Sequence, residues 1–208
     1  MKLPVRALVL VSAVALASCG SPSGNDGGVD GGNSACDGPA LDPPNLIHNN
    51  GFECGGANPA EWGPVFGTLD FPTGAAHSGM RNARVTAGSN GDARFAYNPD
   101  VADDAGTSMF CAHAWVKGTT PYMKMRLLVI SGGNFVSNDF SAPGGGATWT
   151  RVPPSVNLNA PNNGAAQVQL EFESQTGRGD GMNSVAGDTL EVDDVDVWIS
   201  PDGSCHER

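Results

Sequence analysis

Between residues 165 and 176 the side chains alternate. Val168, Leu170 and Phe172 share one parity, and Gln167, Gln169, Glu171 and Glu173 take the other. A period of two, rather than 3.6, is what a strand needs when one face is buried and the other solvated. Similar patterns predict strands over 45–53, 80–86, 93–97, 109–117, 122–131, 149–158 and 189–200. Turn clusters such as Ser89-Asn90-Gly91-Asp92 and Gly144-Gly145-Gly146 separate them. With 29 glycines and 15 prolines in 208 residues, long helices are disfavoured throughout. Eight or so short strands with no helical segment predict an all-β fold, an antiparallel β-sandwich of the jelly-roll kind.

The last predicted strand breaks its own parity. Leu190 and Val192 fall on one side, whereas Val195, Val197 and Ile199 have the opposite parity. One extra residue near Asp193-Asp194 restores the register, which is the signature of a β-bulge.

Residues 1–18 read as an export signal rather than as part of the fold. Lys2 and Arg6 precede a short apolar run that is too brief to span a bilayer core of about 20 residues. The run ends in Leu16-Ala17-Ser18-Cys19-Gly20, which resembles the lipobox of bacterial lipoproteins. That resemblance implies acylation of Cys19, with more than one chain and hence stable anchoring. Gly20, rather than Asp, after the cysteine points to the outer membrane or cell surface. Residues 19–35 then form a Gly-rich tether without large apolar side chains, reaching roughly 20–25 Å. The folded domain occupies 36–208.

The formal charge is −11, and loss of Lys2 and Arg6 makes the mature chain more acidic still. Such a surface repels phosphate backbones, so nucleic acid is not an expected partner. With Cys19 acylated, Cys36, Cys54, Cys111 and Cys205 remain, an even number in an exported chain, which predicts two disulfides. No pair has the CxxC spacing of a zinc site.

Asn45-Leu46-Ile47-His48-Asn49-Asn50-Gly51-Phe52-Glu53, Trp62, and Ala76-His77-Ser78-Gly79-Met80-Arg81-Asn82-Ala83-Arg84-Val85-Thr86 follow one another in order. They resemble the opening of the family 4/9/22-type carbohydrate-binding modules, "NL-x-x-N-x-G-F-E … W … AHSGK-x-S-x-x-V". Residues 109–117, Trp149-Thr150-Arg151 and Val192-Asp193-Asp194-Val195 are similar to that family's later landmarks. The resemblance spans about 41–200 and implies a galactose-binding-like jelly roll whose partner is a poly- or oligosaccharide. The four cysteines and the tether are departures from it.

The resemblance also implies a structural calcium where the first and last strands meet. Glu53 and Asp194 would supply carboxylate oxygens, and backbone carbonyls near 78–80 would complete the shell. The alternative is that both acids cap turns or pair with Arg81 or Arg84. The stretch from Glu191 to Asp196 is similar to the Glu-x-Asp-x-x-Glu catalytic strand of jelly-roll glycoside hydrolases. However, Asp196 stands where the acid/base Glu belongs, and no later strand remains to complete a cleft.

Sugar recognition combines an aromatic face with amides and carboxylates that bond hydroxyls. Trp62 and Trp149 sit at landmark positions and are assigned to packing. Trp115 shares parity with Cys111 and His113, which places it on the inner face, yet it stays a ligand candidate. Tyr122, Phe135, Phe140 and Trp198 are the freer aromatics. Gln167, Gln169 and Glu171 form the hydrogen-bonding strand of the groove that the resemblance implies. The resulting expectation is a membrane-anchored, non-catalytic, carbohydrate-binding-like lipoprotein of the bacterial envelope. Its rivals are a structural or adhesion-type lipoprotein without a sugar site and, more distantly, a small glycoside hydrolase.

In a sandwich of this kind the chain ends approach each other, which favours Cys36–Cys205 and Cys54–Cys111. The first bridge would close a loop of about 170 residues, on the order of 5 kcal/mol in the entropy model. The rival pairing, 36–54 with 111–205, has the two ends of one strand meeting. Nine extended residues would hold those ends roughly 30 Å apart, whereas a bridge needs Cα atoms within about 7 Å.

Overall fold

The computed structural model describes residues 43, 45–47, 49–54, 62–97, 100–101, 106–131, 134–144, 146–162, 166–174 and 180–206. The predicted signal, Cys19, the tether and Cys36 lie outside these residues. No described helix is long and apolar enough to cross a membrane.

Among the described residues there are eleven strands: β1 (Trp62–Phe66), β2 (Thr68–Asp70), β3 (Ala83–Thr86), β4 (Arg94–Tyr97), β5 (Asp100–Val101), β6 (Gly106–Gly118), β7 (Tyr122–Ser131), β8 (Asn134–Pro143), β9 (Thr150–Asn162), β10 (Ala166–Ser174) and β11 (Thr189–Ser200). The first sheet runs β1-β4-β10-β7-β8, with β5 also on β10, and the second runs β2-β3-β11-β6-β9. All the pairings within these sheets are antiparallel. The all-β sandwich expected from the alternation is what forms.

The buried parities of both sheets meet in one core. Phe95 and Tyr97, Met123 through Val129 on odd numbers, and Val168, Leu170 and Phe172 come from the first sheet. Val85, Phe110, Ala112, Ala114, Val116, Leu190, Val192, Val195 and Val197 come from the second. Trp62 is its aromatic centre, with ring centroids 4.9 Å from Tyr97, 5.0 Å from Phe52 and 5.5 Å from Phe95. Its assignment to packing holds.

Four strands, β1, β2, β5 and β8, escape the sequence pattern. β1 contains Gly63-Pro64, and β8 puts Asn138 between Val136 and Phe140 on the core side, so neither shows clean alternation. Both are edge strands, as is β9, where Pro153, Pro154 and Pro161 are tolerated because an edge has ladder positions that need no donor. β2 is only three residues long.

The predicted strand over 45–53 is a correction. Asn49 and Phe52 have φ of 51° and 59°, and the Phe52 N–H donates to the Asn49 carbonyl at 2.9 Å, closing a turn at Asn49-Asn50-Gly51. The segment still borders β11, with the Leu46 N–H on the Val197 carbonyl and the Val195 N–H on the Asn50 carbonyl.

The expected pairing of cysteines is also overturned. Cys111 is bonded to Cys205, with Cα atoms 5.6 Å apart. Cys54 is disulfide-bonded too, and its partner lies outside the described residues. Two local turns explain the error. After β11, Pro201-Asp202-Gly203 folds the chain back, with the Ser204 N–H donating to Ser200 Oγ and Asp202 Oδ1 and Gly203 at φ 75°. That return lays Cys205 against β6 beside Phe110. The turn at 49–51 removes the extended spacer that counted against the rival.

Candidate functional site

The face of the first sheet turned away from the core carries charged residues ordered in rows, beside Leu128 and Ile130 of β7. Across β4, β10, β7 and β8, one row reads Ala96, Glu171, Arg126, Asp139, and the next reads Arg94, Glu173, Lys124, Ser141. Strand alternation brings these residues together, because their neighbours Phe95, Phe172 and Met125 fill the core. Arg126 grips Asp139 with two bonds, Nε–Oδ1 at 2.8 Å and NH2–Oδ2 at 3.1 Å, and reaches Glu171 at 3.2 Å. Arg94 approaches Glu171 from the other side at 3.5 Å, and Lys124 meets Glu173 at 3.0 Å. The bidentate bond from Arg126, followed by its charge, holds the Asp139 carboxyl below its ordinary range despite partial burial.

Gln169 and Glu171 therefore occupy one outward strand face, as expected, and Tyr122 shares the parity of Lys124 and Arg126 on β7. For Gln167 and Phe135 only the backbone is described, and their side chains lie outside the described residues. Phe140 is a correction. It pairs with Met125 and packs against the core, so it does not belong to this face. Sequence reasoning missed Arg94, Lys124, Arg126 and Asp139, although the parity of β7 carries Lys124 and Arg126.

Trp115 is corrected in the other direction. Phe110, Ala112, Ala114 and Val116 are the core residues of β6, so Cys111, His113 and Trp115 face outward from the second sheet. The His77 ring stacks on Trp115 at 3.9 Å and meets Trp149 edge-on at 6.0 Å, while Lys117 Nζ lies 4.5 Å above the Trp149 ring. Trp149 is thus packed outside the core. Trp198, on β11, is 2% exposed and pairs with Cys111 of β6, so it is no free aromatic. Beside it His113 is held between Asp196 (Nε2–Oδ2 2.9 Å) and Arg151, which donates to Nδ1 at 3.0 Å.

The predicted bulge is present, with a register shift between Asp193 and Asp196 and Asp194 at φ 45°. It points consecutive carboxylates at the loop 77–81. Asp193 Oδ2 accepts the N–H groups of His77 (2.7 Å) and Ser78 (3.1 Å), and its Oδ1 accepts that of Asp194 (2.9 Å). Asp194 Oδ1 accepts the Ser78 hydroxyl and its Oδ2 faces His77 Nδ1 at 2.6 Å. Glu53 Oε1 accepts the N–H groups of Met80 (2.6 Å) and Arg81 (3.0 Å). Gly79, at φ 60°, lies so close that a Cβ would collide with Glu53 Oε1.

The loop therefore offers amide donors to these acids, where the resemblance had implied carbonyls facing an ion. Arg84 is not their partner either, because it pairs with Asp70. A Cβ added at Gly51 would touch all three, at 3.8 Å from Asp194 Oδ1, 3.8 Å from Glu53 Cγ and 3.9 Å from Asp193 Oδ1. Burial, and then the Asp194 charge, push Asp193 up to about 7 against the pull of its amide donors. Glu53, Asp193 and Asp194 thus gather hard oxygens around Gly51, and those oxygens accept donors of the 77–81 loop. Among the described residues no group of three or more ligating side chains is gathered closely enough to hold an ion as it stands. Each of the carboxylates Glu191, Asp193 and Asp196 is engaged by protein partners. Glu191 bonds Asn82 and Lys117, Asp193 clamps the loop, and Asp196 bonds His113 and Asn45.

No family model matches the chain, and no curated protein matches it by sequence. Solved structures do match. The family 61 module TmCBM61, solved in complex with β-1,4-galactotriose, has a TM-score of 0.51 at 20% identity over 75% of this chain and 99% of that one. The family 16 carbohydrate-binding module-2 gives 0.52 at 16% identity over 74% and 99%. The CBM22-2 xylan-binding domain from Paenibacillus barcinonensis Xyn10C gives 0.54 at 16% over 73% and 98%. The chain thus shares with these carbohydrate-binding modules their jelly-roll β-sandwich fold.

Proposed function

We propose that the protein binds a poly- or oligosaccharide, without catalysis, on the outward face of its first sheet. The observation that carries this reading is the set of ordered rows of carboxylates and guanidinium groups on that face. Charged groups held rigidly by one another present donors and acceptors in fixed directions, which is what a hydroxyl-rich ligand needs. Support comes from the fold shared with modules solved as galactotriose and xylan binders. A competing reading, a structural or adhesion-type surface protein, is favoured by one feature: Glu171 and Arg126 are already satisfied by protein partners. Affinity electrophoresis through gels containing xylan or β-1,4-galactan separates the two. Retardation that weakens in Arg126→Ala supports saccharide binding. Unretarded migration of the folded protein in every gel supports the rival.

Two further parts of the reading rest on residues rather than on the comparisons. Glu53, Asp193 and Asp194 would hold a calcium ion, which would neutralise mutually repelling carboxylates and tie the 77–81 loop to the bulge. Cys19 would carry the lipid that places the domain at the bacterial outer membrane or cell surface.

A further inference from the structure

At the β1 edge of the same face, Phe66, Arg94 and Glu173 surround a recess of about 250 Å³, completed by Asp92 and Ala93. This is smaller than the roughly 300–1,000 Å³ of a drug-sized pocket and matches one sugar ring better. Phe66, Arg94 and Glu173 are consecutive cross-strand neighbours on β1, β4 and β10. Phe66 is half exposed although it is large and apolar, and one side of its ring is covered by the Arg94 guanidinium, 4.8 Å from the centroid. The Arg94 Nε–H is enclosed and has no acceptor, a costly state for a donor. Beside it stands the Glu173 carboxylate, held by Lys124.

We propose that Phe66, Arg94 and Glu173 form a terminal subsite for one ring of a neutral saccharide bearing two adjacent hydroxyls. The inference rests on the saccharide-binding reading above and adds the ring-stacking residue and the ligand class. The exposed part of Phe66 that lines the recess, beside the Arg94 guanidinium, takes the apolar face of the sugar. One hydroxyl accepts from the Arg94 guanidinium while its neighbour donates to Glu173, so a donor and an acceptor held side by side match a vicinal diol. A uronic acid does not fit, because Glu173 and Asp92 both line the recess and repel a third carboxylate.

The test is titration calorimetry on the purified full-length protein in detergent, with xylotetraose, cellotetraose, β-1,4-galactotriose and oligogalacturonate as probes. The expected result is binding of at least one neutral probe and none of the uronate. Phe66→Ala then weakens that binding by about tenfold or more with an unchanged melting temperature. Phe66→Trp retains binding, and Arg94→Lys, which cannot present the fork, loses it. Equal affinity of Phe66→Ala and the parent, with binding lost in Arg126→Ala, overturns the subsite and leaves the function standing. Tight binding of oligogalacturonate overturns the ligand class. If the parent binds none of the four probes, both the subsite and the saccharide reading fall.

Discussion

Asp193 shows how one side chain can tie stability to pH. Unfolded, its carboxyl ionises near 3.8, whereas in the fold burial raises it to about 7. Between those values the folded state holds a proton that the unfolded chain has released. Without bound cation, stability should therefore fall as pH rises from about 4 to about 7, by a few kcal/mol at most. Urea unfolding in chelator across that range measures the slope. Asp193→Asn keeps an oxygen for the His77 and Ser78 amides but cannot ionise, so its slope should be flatter; an unchanged slope would assign the effect to another group. Calcium at millimolar concentration should raise the melting temperature of the parent and not that of Asp194→Ala. A hundredfold excess over Kd corresponds to about 2.7 kcal/mol. Gly79→Ala tests the loop from the other side, because the new methyl needs a left-handed backbone and the space of Glu53 Oε1. It should cost about 1–3 kcal/mol in chemical denaturation.

At the scale of elements, the Cys111–Cys205 bridge ties the chain after β11 to the outside of β6 across a separation of 94 residues. The entropy model gives about 4–5 kcal/mol for such a loop, and measured bridges often give less. The double variant Cys111→Ala/Cys205→Ala should lose about 2–4 kcal/mol, and a non-reducing peptide map should recover those two cysteines joined. A map joining Cys54 to Cys111 would contradict the fold described. The bulge was legible because a broken parity between Val192 and Val195 has one simple repair. The long strands were legible where apolar residues alternate strictly, as in β10 and in the first half of β7. The pairing of cysteines was in the sequence as well, in the turns Asn50-Gly51 and Pro201-Asp202-Gly203, but a strand drawn through the first and no return drawn after the second hid it. Alternation assigns residues to two faces without saying which face is the core, which is why Trp115 was placed on the wrong side, whereas Phe140 reads as a free aromatic as long as β8 is not recognised as a strand. The partners of Glu171 lie 45 residues away on β7 and 77 away on β4, and only the sheet order brings Arg126 and Arg94 beside it.

For the whole molecule, two sheets share one core and each has an outer surface of different character. The second sheet's is filled in by the disulfide, the buried His113–Asp196 pair and the Trp115–His77 stack. The first sheet's is a lattice of ion pairs with an exposed phenylalanine at its margin. In the proposed reading, a lipid on Cys19 would hold the domain at the membrane with this charged face towards a glycan. Cys19→Ala should move the protein from the membrane to the soluble fraction, and an unchanged distribution would remove the anchor from the account. The central claim, saccharide binding on the first sheet, is tested most directly by affinity electrophoresis of the parent and of Arg126→Ala in xylan and β-1,4-galactan. The account predicts retardation of the parent by at least one polysaccharide and a clear loss in the variant at equal thermal stability. A parent that migrates as in a plain gel through both, or an Arg126→Ala variant retarded as strongly as the parent, would contradict it.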